Sequence, residues 1–248
     1  MQQFFKTALT TVAGRPYDSW TTASLGGTAP TTAAVPTNTT TGALSQENAG
    51  TESLFCVGGR MSSSIGGQFI LCDRLSHQGG LSGTVTTAQT TNLPTSALTR
   101  YANGVGVMAA LSIYTQIGTT GTTVTASYTN QAGTASRTTA PVVFGGTGFR
   151  EASRMIFLPL QSDDTGFQSV QSVTVLATTG TAGAFGVTLF KPLMTFCMDT
   201  GAGQVAFDMF SGGMVGMPDI QDSACLFWIY IPGGTSSILG GELRFMAV

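Results

Sequence analysis

The segment "TTVTASYTN", residues 122–130, decides the fold class. In it Val124, Ala126 and Tyr128 alternate with residues that are mostly threonine. A period of two places these three side chains on one face of a β-strand and their neighbours on the other. The segment therefore predicts a strand with one face toward a core and one face toward solvent.

Apolar runs of this kind recur from about residue 53 to the end of the chain. They number about ten, lie roughly 10 to 20 residues apart and are separated by Gly, Asp, Ser and Thr clusters. No amphipathic pattern of three helical turns lies between them. This spacing favours a sandwich, jelly roll or barrel over a parallel α/β sheet. We predict an all-β fold, a β-sandwich or jelly roll with an extended N-terminal arm.

The N-terminal segment has a different composition. The stretch "SLGGTAPTTAAVPTNTTTGALSQENAG", residues 24–50, consists mainly of Thr, Ala, Gly and Pro without periodicity. Such a tract buries too little apolar surface to fold alone. We predict an arm over residues 1–52, ordered against a partner through Phe4, Phe5, Tyr17 and Trp20, and a single β domain over residues 53–248. A disordered tail is the alternative.

Charge is scarce in this chain of 248 residues, which is 42% hydrophobic and 9% charged. A typical soluble domain has about 25% charged residues. The surface must then consist of Thr, Ser, Gly, Gln and Asn, which give little electrostatic protection against association. We therefore expect neighbouring subunits to cover much of the surface.

Several classes of function are disfavoured. The net charge is −2, and the two lysines, Lys6 and Lys191, lie far apart. Nucleic-acid affinity depends on clustered phosphate contacts, so we expect no direct nucleic-acid binding. No window approaches the 18 apolar residues of a transmembrane helix, so we expect no membrane partner. The N-terminus, "MQQFFKTALTTVAGRPYDSW", lacks the apolar core of a secretory signal, and we expect synthesis in a cytoplasm.

Four cysteines, at positions 56, 72, 197 and 225, are widely separated and form no C-x-x-C pair. This spacing does not match a zinc motif, and we expect neither a metal nor a cofactor. Free cysteine behaves as a small hydrophobic residue, which predicts four buried thiols. One or two disulfides are the alternative.

The sole histidine, His77, lies in "CDRLSHQGG", residues 72–80. Histidine acid/base catalysis would have to use it. Asp73 and Ser76 are too near in sequence for a triad, whose members come from distant segments. We predict no enzyme and no catalytic residue. His77 is instead expected in a turn after the strand Gln68–Cys72, at a contact between subunits.

Two other groups of charged residues invite a functional interpretation. Asp163 and Asp164 in "SDDTG" have no third acid nearby for calcium, so the motif predicts a hairpin loop with the glycine at positive φ. Arg150, Glu151 and Arg154 form a local cluster. It is either a solvated face or, for Arg150 and Arg154, a salt-bridging contact with a neighbouring subunit.

Two long stretches resemble a known group of proteins. They are "CDRLSHQGGLSGTVTTAQTTNLPTSALTRYANGVGVMAALSIYTQIGTTGTTVTASYTNQAG", residues 72–133, and "GFREASRMIFLPLQSDDTGFQSVQSVTVLATTGTAGAFGVTLFKPL", residues 148–193. Their texture is similar to that of tailed-bacteriophage virion proteins, and most similar to capsid decoration or cement proteins. The resemblance covers about half of the chain and includes no functional residue that can be transferred.

That resemblance implies a structural protein of the virion. Its members commonly have β-sandwich or jelly-roll folds and sit as trimers on the shell or bridge neighbouring capsomers, so the expected partners are the major capsid protein and further copies of this chain. A tail, neck or fibre component is the alternative. A carbohydrate-binding module for host attachment ranks third, because its candidate aromatics, Trp228 and Tyr230, lie in "CLFWIYIPGG", which predicts a mostly buried strand.

Overall fold

The structure, a computed structural model, describes residues 2–21, 26–95, 97–198, 203–208, 218–235 and 237–248. Within these ranges the regular structure is β-strand, apart from one 3-10 turn at Leu93–Thr95. The strands are β1 (Gln2–Leu9), β2 (Tyr17–Asp18), β3 (Leu54–Ser63), β4 (Gly67–Leu81), β5 (Gln89–Thr90), β6 (Met108–Thr115), β7 (Thr122–Asn130), β8 (Arg137–Thr138), β9 (Val142–Phe144), β10 (Met155–Phe157), β11 (Phe167–Val175), β12 (Ala184–Met198), β13 (Gly203–Asp208), β14 (Asp219–Ile220), β15 (Leu226–Pro232) and β16 (Ser237–Ala247). The predicted all-β class is confirmed.

Contacts divide the chain into two compact units. Unit 1 comprises residues 1–28, 37–73 and 193–248, and unit 2 comprises residues 29–36 and 74–192. These units do not coincide with the predicted division after residue 52, because residues of the predicted arm, 1–52, belong to both units. That domain assignment stays a prediction.

Unit 2 is built from two antiparallel sheets. In one, the strands follow the order β10-β6-β12-β4; in the other, the order is β5-β11-β7-β8, with β9 also paired to β7. Inward side chains of both sheets, among them Leu111, Val187, Val124 and Val173, belong to one hydrophobic core. Two antiparallel sheets that enclose a common core form a β-sandwich, which confirms that prediction.

Strand β7 has the alternation expected from "TTVTASYTN". Val124, Ala126 and Tyr128 are buried, while Thr125 and Ser127 between them are half-buried. Threonine is branched at Cβ and favours extended backbone, and its hydroxyl group is readily hydrated. The threonines of this segment therefore favour the same strand that the alternation predicts.

Unit 1 contains the sheet β1-β16-β3-β13, with β14 also paired to β3, and the strands β4-β15-β2. Its core contains a group of rings centred on Phe69. The Phe69 ring lies 4.8 Å from Tyr230, 5.6 Å from Phe196 and 6.1 Å from Trp228, measured between centroids. Trp228 and Tyr230 are buried in β15, as expected for "CLFWIYIPGG".

The Trp20 side chain packs against two glycines of unit 1. The ring lies against Gly27 and Gly42, where an added Cβ would come within 2.7 and 2.8 Å of it. Gly42 also has a φ of +110°, so two independent constraints require glycine there. Residues 26–53 contain no strand and are extended or turned, with an isolated bridge from Leu44 to Leu226.

Replacing Phe69 by alanine should destabilise unit 1 by about 3 to 5 kcal/mol, because the lost ring leaves a cavity among its neighbours. Both tryptophans, Trp20 and Trp228, belong to unit 1, so the loss is measured by urea unfolding followed by tryptophan fluorescence. Ile238→Ala, at a residue 44% exposed, is the control and should cost far less. Equal losses in the two variants would contradict the proposed core.

Candidate assembly surface

The outward face of the β5-β11-β7-β8 sheet of unit 2 consists of hydroxyl and amide side chains. We call this set the hydroxyl face. Its members are Thr90, Thr123, Thr125, Ser127, Thr129, Thr138, Ser169, Gln171, Ser172 and Thr174, all half-buried or exposed. None of the ten carries a charge, so the face is polar and electrically neutral.

The strand register arranges these groups in rows across the sheet. One row crosses four strands: Thr90 pairs with Ser172, Ser172 with Ser127, and Ser127 with Thr138. A β-bulge between Val170 and Ser172 adds Gln171 to the face. Its Nε2 donates hydrogen bonds of 2.6 and 2.9 Å to the hydroxyls of Thr129 and Ser169. The rows are therefore partly linked by hydrogen bonds.

An apolar rim borders one end of the hydroxyl face. Val143 of β9 pairs with Thr123, and the amide of Leu176 donates to the Thr123 carbonyl. Both side chains point outward and are unusually exposed, at 50% for Val143 and 76% for Leu176. These two side chains add exposed aliphatic surface next to the neutral polar groups of the hydroxyl face.

The size of the hydroxyl face limits what it can do alone. Spacings of about 4.8 Å between strands and 3.3 Å between residues give it an area of roughly 400 Å². A standard stable interface buries about 800 Å² on each partner. The face therefore suits one contact among several in a larger assembly better than an isolated dimer.

Also in unit 2, the Asp164 carboxylate accepts hydrogen bonds from three side chains that are distant from it in sequence. Its Oδ1 accepts from Asn130 Nδ2 at 2.6 Å, and its Oδ2 accepts from Arg137 Nε at 2.7 Å and from the Tyr128 hydroxyl. The Tyr128 oxygen in turn accepts from the Gln161 amide at 2.9 Å. These bonds fix the end of β7 and the strand β8 to the loop that precedes β11.

Hydrogen bonds shift the pKa values of the Asp164 carboxylate and the Tyr128 hydroxyl. Burial by itself would raise the pKa of Asp164, but the hydrogen bonds from Tyr128, Asn130 and Arg137 outweigh it and lower that pKa. Burial and the hydrogen bond to Asp164 raise the pKa of Tyr128. The stretch "SDDTG" contains a turn, but the predicted hairpin is wrong, because the flanking strands β10 and β11 belong to different sheets. The residue at positive φ is Asp163, at +72°, and not the glycine.

Asp164→Asn should destabilise the protein near neutral pH and have a smaller effect in acid. Because the folded pKa is lowered, the carboxylate stabilises the fold above its unfolded pKa of about 3.9. That stabilisation disappears as pH falls through the folded pKa. Thermal unfolding of both proteins from pH 7 to pH 2.5 measures the difference. Asp163→Asn is the matched control, and an equal pH dependence in both variants would refute the role of Asp164.

His77 lies inside β4 and not in a turn, so that prediction is wrong. Its backbone amide and carbonyl both bond to Ala34, each at 3.0 Å, and its side chain is 3% exposed. The following glycines continue the strand, and Gly79 approaches Pro30 so closely that a Cβ would lie 2.6 Å from the Pro30 oxygen. Burial, with a smaller effect of Arg74, lowers the pKa of His77 to about 3.

The imidazole of His77 should therefore stay neutral in the folded protein down to about pH 4.5. Its Hε1 chemical shift, followed by NMR, should be constant from pH 7 to that value, and the urea-unfolded chain should titrate near 6.5. Because the unfolded chain binds this proton first, stability should decrease as pH falls from about 6.5 toward 3. A folded-state titration near 6.5 would show that the site is open to water.

Four of the predicted subunit contacts have side chains that are buried within the chain. Tyr17, Trp20, His77 and Arg154 are each at most 3% exposed. These side chains therefore present little surface to another subunit, and their predicted contacts stay predictions. Sequence pattern identified them as unusual residues but did not indicate that their partners are internal.

Arg154 shows why the solvated-face interpretation is wrong at that residue. Its guanidinium lies 3.7 Å from the Glu151 carboxylate, donates to the Gly148 carbonyl and sits over the Phe149 ring. The contacts of Arg154 are therefore made within its own loop, residues 148–154. Arg150 is half-buried, and its predicted subunit contact stays a prediction.

At the N-terminus, Phe4 and Phe5 belong to β1, where their backbones pair with Gly241 and Gly240 of β16. Their side chains lie outside what the structure describes, so their predicted contacts also stay predictions.

The cysteines are free thiols, and three are buried as predicted. Cys197 is exposed, so the prediction is wrong there: near the end of β12 the residues alternate, and position 197 falls on the outward side. Burial raises the pKa of Cys56 to about 12. Trp228 and Tyr230 are buried, which removes the aromatics suggested for a carbohydrate site.

Comparisons with protein-family models, with curated proteins and with solved structures give no match. In the described ranges no helix is long and apolar enough to cross a membrane. The same residues contain no group of three or more His, Cys, Asp or Glu side chains placed to hold a metal ion.

Proposed function

We propose that this protein is a structural virion protein that decorates the icosahedral capsid of a tailed phage and stabilises it by bridging capsid subunits. The observation that carries the proposal is the hydroxyl face with its apolar rim. Its neutral groups lose less on desolvation than ions do, so they can be covered by another protein at modest cost. The resemblance of residues 72–133 and 148–193 to capsid decoration proteins supports the same assignment.

The limited area of the hydroxyl face also favours a repetitive assembly. A contact of roughly 400 Å² on each side is weak by itself. When a protein makes several such contacts at once, each further contact is effectively intramolecular and the overall affinity rises steeply. The proposed partners are accordingly the major capsid protein and further copies of this chain, with a homotrimer as the expected form.

The direct test adds the purified protein to phage capsids that lack it. Saturable co-sedimentation, together with a higher temperature of capsid disruption, is the expected result. Mass spectrometry of intact virions then gives the copy number. Hundreds of copies support a shell protein, and a dozen or fewer indicate the tail, neck or fibre alternative. Absence of both binding and virion incorporation would overturn the assignment.

Ser127→Lys should weaken capsid binding by at least about tenfold, which corresponds to 1.4 kcal/mol. Ser127 lies within the four-strand row of the hydroxyl face, and a lysine there would have to be desolvated in the contact. Val105→Lys adds the same charge at a loop residue 46% exposed and should bind normally. Equal binding by both variants would show that the hydroxyl face is not the contact.

A further inference from the structure

The sheet β1-β16-β3-β13 of unit 1 has a pocket of about 320 Å³ on its outer face. Met61 and Leu243 of this sheet point into the core of unit 1. Because side chains alternate along a strand, Arg60, Ser62 and Glu242 lie on the opposite, outer side. Residues of all four strands line the pocket: Gln3, Arg60, Ser62, Gln204, Gly240, Gly241 and Glu242.

The strand register accounts for the hollow. Gly240 faces Ser62 in one row across the sheet, and in the next row Glu242 faces Gln3 on one side and Arg60 on the other. Glycine and serine have the smallest side chains in these two rows. A space therefore remains beside the longer side chains of Glu242 and Arg60.

Ser62 supplies a hydrogen-bond acceptor to this pocket. Its hydroxyl group donates to the Gly240 carbonyl at 3.1 Å, so its proton is already used. A hydroxyl oxygen has two acceptor lone pairs besides its one donor. Because Ser62 is half-buried and lines the pocket, its oxygen suits a donor of the ligand.

The charged groups of the pocket differ in how they are paired. The Glu242 carboxylate lies 2.9 Å from Arg244 Nη2 and is 19% exposed, so it has a cationic partner within the sheet. Arg60 is exposed and takes part in none of the ion pairs or side-chain hydrogen bonds of the described residues. Its guanidinium has five N–H donors, in a planar fork that matches a carboxylate. The pocket therefore has one cation available to a ligand.

We propose that this pocket binds a sugar acid, a monosaccharide that carries one carboxylate. The Arg60 guanidinium would donate two hydrogen bonds to the carboxylate, and a ring hydroxyl would donate to Ser62 Oγ. The exposed amide of Gln204 has both donors and an acceptor, which suits further ring hydroxyls. A volume of 320 Å³ is at the small end of ligand pockets, as a monosaccharide requires. The proposal goes beyond the capsid function and does not depend on it.

Other ligands fit the pocket less well. A phosphate dianion would bring a second negative charge beside Glu242, and like charges in one site repel each other. A neutral sugar would lack the charge-assisted hydrogen bonds to Arg60, which are stronger than neutral ones. A cation would meet Arg60, while Glu242 already has a partner in Arg244. One carboxylate together with several hydroxyl groups matches both the guanidinium and the polar lining.

The experiment titrates the full-length protein with methyl glucuronide and methyl galacturonide, followed by two-dimensional NMR of the backbone amides. Saturable shifts at residues 60, 62, 204 and 240–242 are expected for at least one of the two. Methyl glucoside keeps the ring hydroxyls without the carboxylate, and propionate keeps the carboxylate without the hydroxyls. Both should bind at least about threefold more weakly. Absence of a saturable shift with either sugar acid, or equal binding of one of the two control compounds, would overturn the proposal.

A galacturonate trisaccharide distinguishes two sources of the same ligand chemistry. Tighter binding of the trisaccharide than of methyl galacturonide would support a polysaccharide as the source. Equal or weaker binding would support a free sugar acid.

Arg60→Gln removes the donor fork and should weaken binding of the sugar acid about three- to tenfold. Arg60→Lys keeps the charge without the fork and should recover part of the loss. Arg15→Gln, at an exposed residue of unit 1 outside the lining, is the control and should bind like the parent. Unchanged far-ultraviolet circular dichroism establishes that the variants fold. If Arg60→Gln and Arg15→Gln weaken binding equally, the attraction is general and the proposed site is wrong.

Discussion

The register between β7 and β11 is the constraint on which the architecture of unit 2 depends. Val173 faces Ala126 and Val175 faces Val124 across the inner side of the pair, while Thr174 faces Thr125 on the outer side. A slip of one residue would exchange the two faces and move the apolar set into water. The register that builds the core therefore also builds the hydroxyl face, and neither can change without the other.

Threonine and serine satisfy both requirements of this arrangement. Their outward positions need residues that favour extended backbone and remain hydrated without charge. A charged residue at Ser172 or Ser127 would also remain hydrated in an isolated protein, but its desolvation would oppose any contact. Neutral hydroxyl groups leave the face free to associate, which is the property on which the proposed function depends.

The sequence predicted the features that depend on neighbouring residues. Alternation along β7 is local, and so is the turn at Asp163, because both follow from adjacent side chains and backbone preferences. The partners of Asp164 were not predictable in the same way. Its hydrogen bonds reach back 27 residues to Arg137 and 36 residues to Tyr128, so they depend on which strands pair. Similarly, the glycines after His77 suggested a turn, but the backbone of Ala34 provides a partner that continues the strand.

The few charges of the chain are also distributed unevenly, which affects how it can associate. There are 10 basic and 12 acidic residues. Among those whose burial the structure describes, five are buried: Asp18, Asp73, Arg74, Arg100 and Arg154. The surface is therefore even less charged than the composition indicates. Association through the hydroxyl face should depend little on ionic strength, because screening acts on exposed charges.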